Sequence, residues 1–174
     1  MSSTEITNLT ALRNLLADLP TWVTWTGLAT TPERLDRIAA PELSDAMSLP
    51  AICIDFGSGR RINPYGSDSS ANFRPSGQLV VSVYDLDAVD SGSVTERYTV
   101  FADRFFGLID SLIEAASMAE IMINNVVYPD APIIRGPVNV RSAQDENADK
   151  ADDAFEIDVW FGTFSFTWGG PPES

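Results

Sequence analysis

The order of apolar periodicities along this chain predicts an α+β fold, a mainly antiparallel sheet covered by helices on one face. Three observations carry that expectation. Gln78-Leu-Val-Val-Ser-Val-Tyr84 is a β-rich run that feeds a long amphipathic helix. Phe155, Ile157, Val159 and Phe161 alternate with Glu156, Asp158 and Trp160, the period of a strand with one buried face. Before both lie two shorter helical patterns. With 174 residues and 44% apolar content, residues 1–174 are expected to form a single domain with a sizeable core.

The first helix is predicted over Thr4–Asp18. Ile6, Leu9, Leu12, Leu16 and Leu19 form its apolar stripe, and Pro20 stops it. Trp22-Val-Thr-Trp25 follows, punctuated by Gly27. Thr31-Pro32-Glu33 reads as an N-cap with proline in the first turn, opening a second helix to about Ala40 with Leu35 and Ile38 facing inward. Pro50–Phe56 has the texture of a buried strand, and Cys53 between Ile52 and Ile54 reads as its buried thiol.

Residues 57–77 change character. Glycine and proline punctuate a Ser- and Asn-rich stretch that carries Arg60, Arg61 and Arg74, the one local excess of positive charge. It is expected to project as a long loop or an extended hairpin.

After the strand, an acidic turn (Asp85, Asp87, Asp90) leads to Ser93-Val-Thr-Glu96, which has the spacing of a capping box. The carboxylates suit the positive end of a helix dipole. Val94, Tyr98, Phe101, Phe105, Leu108, Leu112 and Ala116 then mark one face of a helix of roughly six turns. Ile121–Tyr128 and Pro137–Arg141 are strand candidates. Residues 142–153 form an acidic loop, Gly162 bends or bulges the last strand before Phe164–Trp168, and 169–174 are a loose tail.

The formal charge is −14, from 25 acidic and 11 basic residues. That balance argues against binding nucleic acid through a basic surface, although an acidic wall lets a polyanion slide past without sticking. No apolar run reaches the length of a membrane span, and Met1–Glu5 does not begin a secretory signal.

The sequence contains no histidine. The commonest general base and the usual Ser–His and Cys–His pairs are therefore missing, and neither GxxxxGK[ST] nor GxGxxG occurs. The expectation is a non-enzyme without a cofactor. Asp145, Asn147, Asp149 and Glu156 fall at positions 1, 3, 5 and 12 of a calcium loop. Lys150 stands where such a loop needs glycine and the flanks read as strands, so this is a weak metal candidate. Asp145, Glu146, Asp149, Asp152 and Asp153 read better as a solvated or partner-facing acidic loop. Trp160, on the polar side of its alternating strand, points either to a subunit interface or to packing under a helix.

Taken in order, the chain resembles the tail terminator and neck proteins of long-tailed bacteriophages. The resemblance lies in Leu12-Arg-Asn-Leu-Leu-Ala-Asp-Leu-Pro-Thr-Trp-Val-Thr-Trp25, in Thr31-Pro-Glu-Arg-Leu-Asp-Arg-Ile38 and in Pro50-Ala-Ile-Cys-Ile54. Gly77–Tyr84 with the acidic turn and long helix, and late strands ending in a Trp/Phe-rich edge, complete it. It is a pattern of element order and texture over most of the chain, without a diagnostic motif. It implies a structural subunit of a ring, a hexamer in that family, which caps the tail tube and docks to a head-completion protein. DNA would pass through the lumen without specific binding, and the protein would sit in the virion neck after assembly in the host cytoplasm. The stretches 57–77 and 142–153 are longer than a minimal terminator needs. Two alternatives stay open at this point: another neck component, such as a head-completion or connector adaptor, or a non-viral ligand- or carbohydrate-binding module.

Overall fold

The computed structural model describes residues 4–40, 48–57, 61–65, 72–86, 94–118, 128–129, 133–139 and 158–168. The fold is α+β, as the periodicities predict, with a mainly antiparallel sheet and one long helix. Helix α1 (Thr4–Asp18) is followed almost at once by α2 (Pro20–Thr26). Leu19 between them is extended, as a residue before proline prefers, so the chain turns there without a linker. The Trp22–Trp25 segment is thus helical. Gly27, in the left-handed region at φ 66°, closes α2 by donating its N–H to the Val23 carbonyl.

The next helix is shorter than its sequence pattern. α3 spans Thr31–Leu35, and its cap is Thr30 rather than Thr31. Thr30 and Glu33 form a reciprocal capping box in which the Thr30 hydroxyl and N–H donate to the Glu33 carboxylate, holding its pKa below the usual value. Ile38, expected on that helix, instead belongs to the two-residue strand β1 (Ile38–Ala39), which pairs parallel to β2 (Ala51–Phe56).

The sheet runs in the order β1-β2-β4-β7-β5. Here β4 is Asn72–Leu86, β5 Tyr128–Pro129 and β7 Asp158–Trp168. β6 (Ile133–Asn139) also pairs with β7. The central strand β4 has two roles. Residues 77–86 pair with β7, and of these 79–84 also pair with β2, whereas residues 72–76 pair with β3 (Arg61–Tyr65) alone among the described strands. Within the stretch 57–77, expected to project, residues 61–65 and 72–76 form a two-stranded ribbon. Its register puts Ile62, Pro64, Phe73 and Pro75 at the positions of one face, and Arg61, Asn63, Tyr65, Asn72, Arg74 and Ser76 at those of the other.

Helix α4 (Val94–Met118) follows the sequence pattern closely: Phe101, Phe105, Leu108 and Leu112 are all buried. They join Leu12, Leu16 and Trp22 of α1 and α2 over one face of the sheet, made of Ile52, Ile54, Leu79, Val81, Val83, Phe164 and Phe166. At about 1.5–3 kcal/mol for each large side chain taken from water, this single core is the main source of stability. Ile6, expected on the buried stripe of α1, is exposed.

β7 departs from expectation in its parity. Trp160, Gly162, Phe164 and Phe166 share the face under α4, because they stand in register with Asp85, Val83, Val81 and Leu79. Trp160 is accordingly 3% exposed and packs on Tyr98 and Phe101. This corrects its reading as an interface residue: packing under the helix is what the structure adopts. Gly162 lies mid-strand with no bulge against β4. The opposite face carries the stacked pair Tyr84–Phe161 and the bonded hydroxyls of Ser82 and Thr163. Cys53 is on that face too, half-buried rather than fully enclosed.

Candidate functional site

The period-two core face of β4 runs Leu79, Val81, Val83 and then Asp85. A carboxylate thus occupies a position built for an apolar side chain, and it is 8% exposed. Its partners come from both covering helices. Trp25 Nε1 of α2 donates to Asp85 Oδ2 at 2.7 Å, and Arg104 Nη1 of α4 lies 3.5 Å from the same oxygen. Burial raises the Asp85 pKa. The Trp25 N–H, the Leu86 backbone N–H and the Arg104 charge oppose that rise without cancelling it.

This cluster differs from the expected one. The sequence reading assigns the carboxylates of the acidic turn to the positive end of a helix dipole. Asp85 instead ties two helices to the sheet, while Asp87 and Asp90 lie outside the described residues.

Trp25 and Arg104 also form a wall of a cleft between α2 and α4. Its volume is about 390 Å³ and its lining is Pro20, Thr21, Thr24, Trp25, Asp103, Arg104 and Gly107. That is within the size range of small-ligand or side-chain pockets. Trp25 is held by its bond to Asp85 and by edge contacts with Trp22 and Phe101, both at 5.8 Å between ring centroids. Arg104 gives one nitrogen to Asp85 and leaves its side chain 47% exposed. A β-carbon placed on Gly107 meets nothing within 4 Å, so glycine here leaves the cleft open. Glu96, Asp103, Asp110 and Glu114 of α4 are exposed, and of these Asp103 lines the cleft. The cleft brings together a fixed aromatic ring, two threonines and an exposed carboxylate.

The site residues expected from the sequence divide as follows. Arg61 stands opposite Ser76, and Arg74 opposite Asn63, in the backbone register of the β3–β4 ribbon. Arg60, the acidic-loop residues Asp145, Glu146, Asp149, Asp152 and Asp153, and the metal candidates Asn147 and Glu156 lie outside the described residues. Among the described residues, no three His, Cys, Asp or Glu side chains converge as metal ligands would, and no helix is long and apolar enough to cross a membrane. Sequence reasoning missed Trp25, Asp85, Asp103 and Arg104 as a group. The available signal was Asp85 itself, a charged residue in phase with three core positions. No protein-family model matches this chain, and no curated protein matches it.

Proposed function

We propose that this protein is a structural subunit of a virion, a tail-terminator-like ring component at the head–tail junction that caps the tail tube and docks to the head-completion protein. The observation that carries the reading is the β3–β4 ribbon. A two-stranded ribbon is marginal by itself in water. This one pairs with no other described strand, and its two segments combine Ile62 and Phe73 with Arg61 and Arg74 in sequence, so it is suited to being covered by neighbouring subunits.

The charge distribution supports the same reading. An acidic chain that self-associates must offset like-charge repulsion. Between Gly57 and Gly77 the sequence has three arginines against one acid, Asp68, in a chain whose total is −14. Planar guanidinium groups pair well with carboxylates across such contacts. An acidic ring also suits a lumen that DNA crosses without specific binding. The activity of the protein is assembly and not catalysis, in the neck of a virion put together in the host cytoplasm.

The test is the mass of the native particle, together with particle images. A hexameric ring that binds tail-tube ends supports the proposal. A dodecamer identifies a connector-type adaptor instead, and a monomer that binds a sugar or small ligand identifies a binding module.

A further inference from the structure

We infer that the α2–α4 cleft is the socket for an arginine of the β3–β4 ribbon of a second copy, so that subunits join head to tail; this rests on the ring reading. The ribbon and the cleft lie at opposite ends of one strand. β4 runs unbroken from the ribbon (72–76) through the sheet to Asp85, whose two side-chain partners Trp25 and Arg104 line the cleft. Arg74 and Asp85 are eleven positions apart along the strand, about 36 Å at about 3.3 Å per residue. The ribbon therefore cannot fold back into the cleft of its own chain. Donor and socket at opposite ends make a heterologous contact, the kind that closes a ring when the rotation between subunits permits.

The chemistry of the two ends is complementary. The ribbon segment is a basic island in an acidic chain. The cleft is lined by the exposed carboxylate of Asp103, and the charge of Arg104 is already engaged by Asp85. An entering arginine finds the Trp25 indole for its guanidinium plane and the Asp103 carboxylate for its charge. Pro20 and the bare backbone of Gly107 receive its aliphatic stem.

Gly107→Leu tests this with little risk to the fold. The new side chain enters open space and replaces a weak helix former, so the melting temperature should hold or rise. Sedimentation and native mass measurements should show assembly weakened at least tenfold by Gly107→Leu, by Asp103→Arg and by Arg74→Asp. A mixing experiment in a Cys53→Ser background adds a geometric readout. Thr24→Cys chains should form interchain disulfides with Arg74→Cys chains, and neither should do so alone. If the wild type forms rings and Gly107→Leu and Asp103→Arg form them equally well, the socket assignment is wrong and the ring reading stands. Self-linking of Thr24→Cys chains also overturns the head-to-tail contact. A wild type that stays monomeric at every concentration and ionic strength removes the ring reading and the socket together.

Discussion

The ring of Phe105 occupies the space that a side chain on Gly162 would need. A β-carbon built at Gly162 comes within 2.6 Å of Phe105 Cε2, closer than carbon atoms approach. The glycine thus sets how near α4 lies to the sheet. Gly162→Ala should destabilise the fold by about 1–3 kcal/mol through overpacking. Phe105→Ala should cost about 3–5 kcal/mol through the cavity it leaves. Because the two residues share one space, the cost of Gly162→Ala should largely vanish in the Phe105→Ala background. Urea unfolding of the two single mutants and the double mutant checks this, and additive costs would contradict the packing described.

Arg34 is a buried tie between three segments. Its Nε donates to the Ala17 carbonyl, its Nη1 to the Leu28 carbonyl at 3.0 Å, and its Nη2 to Thr31 Oγ1 at 3.1 Å, with Asp18 Oδ1 at 3.4 Å. Lysine cannot reproduce that fork. Arg34→Lys should cost about 1–3 kcal/mol, since carbonyls at the end of α1 and in the loop after α2 lose their donor. A melting temperature equal to that of the wild type would show that the tie adds nothing.

The elevated pKa of Asp85 makes a signed prediction. A folded carboxyl held above its ordinary 3.8 contributes stability that is complete below that value and is lost as the pH rises through the folded pKa. Asp85→Asn keeps an oxygen for the Trp25 N–H and removes the buried charge. The mutant should therefore gain on the wild type as the pH rises from about 4 towards neutrality, because the other carboxylates titrate alike in both proteins. Stability curves of the two proteins against pH decide it, and a mutant that loses ground over that window reverses the assignment.

Replacing Arg60 and Arg61 with alanine should weaken self-association while leaving the subunit folded. The effect should grow at low salt, where repulsion between chains of charge −14 is least screened. Sedimentation at two or three ionic strengths measures it. Normal assembly of the double mutant throughout would remove these arginines from the interface.

The spacing of Phe101, Phe105, Leu108 and Leu112 made α4 legible from sequence, because one stripe on a long helix admits a single buried side. β7 was harder. Val159 and Phe161 on one face and Trp160, Phe164 and Phe166 on the other are all large and apolar, and alternation alone does not say which face meets the helices. Gly162 was the clue, as a small residue on the crowded side. β1 escaped notice because two residues carry no period. The cleft was invisible for a different reason. Residues 20–25, 85 and 103–107 are brought together only by the packing of α2 and α4 on the end of β4.

The continuity of β4 has a mechanical consequence. The strand that forms half of the ribbon is also the central strand of the body, with β2 on one side and β7 on the other. Antiparallel hydrogen bonds lie across the strand direction. A pull on the ribbon along the axis of β4 therefore loads the whole ladder from Gly77 to Leu86 in shear, many bonds at once. A sideways pull would instead open β3 from β4 one pair at a time, from Tyr65–Asn72 to Arg61–Ser76. The fold is thus strong along one axis and compliant across it, and its resistance to force depends on the direction in which the ribbon is drawn.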